Sequence, residues 1–100
     1  MNAILVEDDA ISRDILTWMI GKMNRLNQLI TFANATEALR FLSEKNVSVD
    51  LAILDIQLPD LNGLELARRC RQLRPQMQIM FETTSEDYAM DALRMKAVGY

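Results

Sequence analysis

The chain has 100 residues, half apolar and a quarter charged, with three Gly and two Pro, the balance of one globular domain rather than a multidomain enzyme. A net charge of −3 with no Lys/Arg block longer than two argues against direct nucleic-acid binding, and the lack of histidine removes Ser/His/Asp triads, HExxH zinc sites and His-based acid/base chemistry together. A single cysteine excludes an internal disulfide, no apolar run reaches the roughly 18–20 residues of a membrane span, and the first residues lack a signal peptide's basic segment, so the expected compartment is the cytoplasm.

Ala3-Ile4-Leu5-Val6 is apolar without alternation, the form of a strand buried on both faces of a parallel sheet. Ile11, Ile15, Leu16, Met19 and Met23 then fall on one helical face, with Asp9 placed to cap the helix. Residues 29–33 read as a second strand, weaker in pattern. Ala38, Leu39 and Leu42 share the face of a second helix, opened by Asn34 and Glu37 at capping-box spacing. Leu51-Ala52-Ile53-Leu54 is the third strand. Leu66, Cys70 and Leu73 mark a third helix, opened by Asn62 with Glu65 and closed by Pro75. Residues 77–81 form the fourth strand, and Ala89 and Leu93 belong to a fourth helix with Thr84 as its cap. Strands alternating with helices in this way predict an α/β fold built of βαβ units in a single domain over residues 1–100. Cys70 is expected in the core, and Arg68, Arg69, Arg71 and Arg74 on a solvated helix face.

In open parallel sheets, ligands bind beyond the carboxyl ends of the strands, which directs attention to Glu7-Asp8-Asp9, Asp55 and Thr83-Thr84-Ser85. Singly, each has a plain structural role as a cap, a turn former or a strand residue. Brought side by side, Glu7, Asp8 and Asp55 would crowd like charges that cannot all stay ionised without a cation. Oxygen-only ligands select a hard ion, and a shallow site that leaves the ion its waters suits Mg²⁺.

Ile4-Leu5-Val6-Glu7-Asp8-Asp9, then the stretch Asp50-Leu-Ala-Ile-Leu-Asp-Ile-Gln-Leu-Pro-Asp-Leu-Asn-Gly63, then Ile79-Met80-Phe81-Glu82-Thr83 resemble the receiver domain of bacterial two-component response regulators. The middle block is the most specific, and the resemblance spans essentially the whole chain. It implies a flavodoxin-like doubly wound sheet, here with strands in the order 2-1-3-4. It also implies Asp55 as phosphoacceptor, with Glu7, Asp8, Asp55 and the Gln57 backbone carbonyl around Mg²⁺. Thr83 corresponds to the switch hydroxyl, Tyr100 to the switch aromatic, and Gln57 and Ser85 to the positions that tune dephosphorylation. The implied partners are a histidine kinase or phosphotransfer protein and an effector the sequence does not identify. Activity would be limited to Mg²⁺-dependent self-phosphorylation and autodephosphorylation.

The sequence departs from the family in two respects. It ends before the family's fifth strand, fifth helix and their lysine, so it resembles a truncated receiver, for which self-association through the fourth strand's edge or the first helix is expected. Glu82 stands where the strand usually stays apolar; alternation points it away from Thr83, toward the face a fifth helix covers, where it is expected to remain solvated. The competing reading is a pseudo-receiver or interaction module that works without phosphorylation. An aspartate-nucleophile phosphatase is disfavoured because Gln57 occupies the place of its second aspartate. The stretch after Thr83 is mildly similar to receivers attached to LytTR-type DNA-binding domains.

Overall fold

The computed structural model describes residues 1–82; the expected fourth helix lies outside the described residues. Strands β1 (Asn2–Val6), β2 (Gln28–Phe32), β3 (Leu51–Asp55) and β4 (Gln78–Glu82) alternate with helices α1 (Ala10–Ile20), α2 (Ala35–Glu44) and α3 (Gly63–Leu73). Among the described residues the three strand pairs are parallel and the order is β2-β1-β3-β4, the flavodoxin-like arrangement expected. β2 begins one residue earlier than its apolar pattern predicts, and β4 one residue later.

The two-residue period of the strands sorts the core into two layers. Ile4, Val6, Ala52, Leu54, Ile79 and Phe81 pack with Ala35, Ala38 and Leu42 of α2 and Leu66, Ala67 and Cys70 of α3. Ala3, Leu5, Leu51 and Ile53 face the other way, onto Ile20 and Leu16 of α1. Cys70 lies in the first layer as expected, and burial pushes its thiol up to about 12, leaving it an inert core group.

α1 departs from the sequence pattern. Its apolar stripe is not buried as a unit: Ile11 is 72% exposed and Trp18 64%, with Ile15, Met19 and Met23 exposed as well. The helix rests on the sheet along the line of Leu16 and Ile20, one turn apart, and the stripe is wider than that line. The Lys22 ammonium sits 3.5 Å from the Trp18 ring centroid and covers part of it.

The helix starts follow the expected caps. Asp9 accepts from the Ser12 amide at 2.8 Å and Asn34 from the Glu37 amide at 2.9 Å. Asn62 accepts from Leu64 rather than from Glu65, whose carboxylate instead meets Arg68 and Arg69 on the exposed face of α3.

α2 is held at both ends by the segments flanking α3. At its N-terminus, Asp60 accepts from the Ala35 and Thr36 amides at 3.0 and 2.8 Å and from the Thr36 hydroxyl. At its C-terminus, the Arg74 guanidinium donates to the carbonyls of Leu42, Lys45 and Val47. Arg74 is therefore not the solvated residue its sequence setting suggested. A carboxylate at the positive end of the helix and a cation at the negative end both suit the helix dipole. Asp60→Ala and Arg74→Ala are each expected to cost about 1–2 kcal/mol in urea unfolding, because each strands several helix-end groups. A loss below about 0.3 kcal/mol for both would contradict the clamp.

Candidate functional site

Sheet register decides which side chains meet at the carboxyl edge. Val6 is paired with Leu54, which brings Glu7 beside Asp55, and Asp55 is paired with Glu82. By alternation all three acids lie on the α1 side of the sheet, with Leu5, Ile53 and Met80. One carboxylate oxygen from each of Glu7, Asp55 and Glu82 lies within 4.8 Å of the others. The chain leaves β1 toward β2 and β3 toward β4, so the row sits at the point where the sheet's winding reverses, the usual crevice of such folds.

Burial sharpens the repulsion. Glu7 is 5% exposed and its carboxyl is raised to about 8, first by desolvation, then by a hydrogen bond with Asp55 and the charges of Asp55, Glu82 and Asp8. Its Oε2 is buried without a hydrogen-bond partner among the described residues. Glu82 is also raised, by burial and then by the charge of Asp55. Its orientation is the one alternation predicts, but it is half-buried beside Asp55 rather than fully solvated.

The remaining predicted residues are distributed around this row. Asp8 is exposed and its carboxylate lies outside the close trio, although its charge acts on Glu7. The turn that carries it is pinned by Arg13, which donates to the carbonyls of Glu7 at 2.9 Å and Asp8 at 3.4 Å. The Gln57 amide donates to Asp55 Oδ1 at 3.3 Å, and the Gln57 side chain is exposed. Thr83, Ser85 and Tyr100 lie outside the described residues.

The loop from Asp55 to Gly63 closes on itself, with the Gly63 amide donating to the Ile56 carbonyl at 2.7 Å. A Cβ on Gly63 would stand 2.1 Å from the Asp55 carbonyl oxygen and 2.5 Å from the Ile56 Cα. Only glycine lets α3 start this close to the end of β3.

One buried and two half-buried carboxylates, an orphaned oxygen and donors that are all oxygen suit a hard divalent cation, and no softer ligand joins them among the described residues. Sequence reasoning missed Asp60 and Arg74 as helix clamps and Glu82 as a member of the row. For Glu82 a signal existed: stepping by two along β4 puts it on the same face as the acids of β1 and β3.

A sequence profile described as response regulator receiver domain matches residues 3–100. Among curated proteins, the chain is 31% identical over its full length to the positive alginate biosynthesis regulatory protein of Pseudomonas aeruginosa, covering 40% of that protein. It is 29% identical to the sensory transduction protein LytR of Staphylococcus saprophyticus, covering 39% of it. The chain thus spans about two-fifths of the length of these relatives. Among solved structures, the response regulatory domain of MrkE from Klebsiella pneumoniae superposes with a TM-score of 0.89 at 30% identity, over all of this chain and 80% of that one. TrrA from Thermotoga maritima, solved in complex with Mg²⁺-BeF, gives 0.83 at 29% identity, over 99% of this chain and 83% of the other.

Proposed function

The chain belongs to the receiver-domain family of two-component response regulators, and on that premise we propose that it accepts a phosphoryl group on Asp55, from the phosphohistidine of a histidine kinase or phosphotransfer protein, with Mg²⁺ in the carboxylate row. The observation that carries this reading is the placement of Asp55 at the switch point beside Glu7, which has a buried oxygen without a partner among the described residues.

An Asp55 oxygen attacks the phosphorus, an O–P bond forms as the donor's N–P bond breaks, and the imidazole departs with the electron pair. A carboxylate needs no general base for this, so the site has only to position the groups and offset charge. Glu7 and Asp55, with Asp8 and the Gln57 carbonyl, would hold the ion, which neutralises phosphoryl oxygens when bound. Asp55 is held by its register with β4 and Glu7 by the bond from its amide to the Phe32 carbonyl, and the Gln57 backbone amide steadies Asp55. We assign Thr83 to close on the phosphoryl oxygens, Tyr100 to report that closure, and Gln57 and Ser85 to set the lifetime of the acyl phosphate. The exposed apolar face of α1, beginning two residues after Asp9, is the surface we assign to the phosphohistidine-bearing partner. The output this switch controls is proposed to be an effector of the LytTR type, the type to whose receivers the stretch after Thr83 is mildly similar.

The test is labelling by acetyl phosphate with Mg²⁺, followed by borohydride trapping and peptide mass spectrometry. The label is expected on Asp55 alone, and Asp55→Asn should abolish it. Label on Asp8 or Asp9 would overturn the assignment, and no label on a folded chain would leave an interaction module as the better reading. With a phosphorylated kinase as donor, Ile15→Ser should slow transfer at least tenfold while labelling by acetyl phosphate is unchanged; equal effects on both donors would contradict the α1 assignment.

A further inference from the structure

We infer that Glu82 makes this a three-carboxylate cation site, in which β4 supplies an anionic ligand of its own alongside Glu7 and Asp55. The inference rests on the cation-dependent reading of the same site and adds to it a residue that the acids after β1 and the end of β3 do not include. Two independent observations support it. The first is geometric: the β3–β4 register sets Glu82 directly opposite Asp55, and one oxygen of each falls within 4.8 Å of the other and of Glu7. The second is that Glu7 is 95% buried and, although its carboxyl meets Asp55, its Oε2 has no hydrogen-bond partner among the described residues.

The position of Glu82 is fixed by its neighbours. Phe81 is anchored in the α2–α3 layer and Met80 in the α1 layer, so the last residue of β4 has one face available, and that face holds the acids. Nothing in the packing of the strand requires a charge there. Three carboxylates gathered at this separation repel one another. A divalent cation with oxygen preference satisfies the repulsion and the orphaned oxygen together.

A chemical consequence follows for the division of labour. Asp55 has to serve both as a ligand and as the nucleophile, whereas Glu82 has no other role and can hold the ion throughout. Affinity in oxygen-ligand sites rises with the number of anionic ligands, so the third carboxylate should tighten binding by about tenfold over the pair. It should also let Asp55→Asn retain measurable binding.

The experiment titrates Mg²⁺ alone into the full chain at neutral pH, by calorimetry or amide shifts, and measures thermal unfolding with and without the ion. Wild type, Glu82→Gln, Glu7→Gln and Asp55→Asn are compared. Glu82→Gln is expected to weaken Mg²⁺ about tenfold, to raise the melting temperature of the metal-free chain by removing a repelling charge, and to shrink the rise that Mg²⁺ produces. These shifts have opposite signs, which a purely structural role for Glu82 would not produce, and a higher metal-free melting temperature also shows that the variant folds. Asp55→Asn should bind more weakly than wild type yet still bind, and the combined Asp55→Asn, Glu82→Gln variant should not. If Glu82→Gln binds within twofold of wild type while Glu7→Gln loses binding, this inference falls and the cation site stands. If the wild-type chain shows no Mg²⁺ binding at all, both readings fall.

Discussion

Gly63→Ala is expected to destabilise the chain by about 3 kcal/mol or more. The added carbon would meet the Asp55 carbonyl oxygen at 2.1 Å and the Ile56 Cα at 2.5 Å, and both are backbone atoms that no rotamer change can move aside. Relief requires α3 to back away from the end of β3, which breaks the 2.7 Å bond from the Gly63 amide to Ile56 and loosens Leu66, Ala67 and Cys70 in the core. Because the same displacement pulls on the carbonyl of Asp55, labelling of Asp55 should slow in whatever fraction remains folded. Urea unfolding monitored by Trp18 fluorescence measures the first effect. A loss below about 0.5 kcal/mol would show that the loop has slack the structure does not suggest.

The second large effect is a dependence of stability on pH that reverses the usual carboxylate behaviour. Glu7 is raised from 4.5 to about 8 in the folded chain, so between those values the native state holds a proton that the unfolded chain has released. Its contribution is complete below 4.5 and is lost as pH rises through about 8, and the upward shift of Glu82 acts in the same direction. Asp9 and Asp60 behave oppositely. The Ser12 backbone and side chain hold Asp9 below its ordinary 3.8. Around Asp60, desolvation pushes up, but the Thr36 hydroxyl and the amides of Ala35 and Thr36 outweigh it. Their contribution is present above 3.8 and fades as pH falls through their folded values. The metal-free chain should therefore be most stable near pH 4 to 5 and weaken steadily toward pH 8. Saturating Mg²⁺ should flatten or invert that slope, because a bound cation favours ionised Glu7. Melting temperatures across the range, in EDTA and in Mg²⁺, check this; a metal-free chain equally stable at pH 5 and pH 8 would contradict the crowding of Glu7, Asp55 and Glu82.

How much of this was legible in the sequence depends on whether a feature is local. β1 and β3 are readable because strands buried on both faces are continuously apolar, and their ends direct attention to Glu7 and Asp55. β2 is an edge strand with exposed Gln28 and Thr31, and its weaker pattern left its bounds one residue off. Periodicity correctly groups Ile11, Ile15 and Met19 on one side of α1, but it does not say how much of that side the sheet covers, and these residues are exposed. The caps at Asp9 and Asn34 are readable because donor and acceptor are three residues apart. The bonds from Asp60 to Ala35 and from Arg74 to Val47 span 25 and 27 residues, and no local pattern announces them. Glu82 falls between these cases. Alternation along β4 gives its direction, whereas its neighbour Asp55 is set by inter-strand register, which depends on how β3 and β4 pack.

The central claim is that the acids gathered at the carboxyl edge of the sheet form a cation-dependent phosphoacceptor. Intact-mass spectrometry of the full chain incubated with acetyl phosphate, in Mg²⁺ and in EDTA, tests it most directly. The account predicts the mass of one phosphoryl group added in Mg²⁺, little or none in EDTA, and none in either condition for Asp55→Asn. Addition at the same rate in EDTA, or undiminished addition to Asp55→Asn, would contradict it.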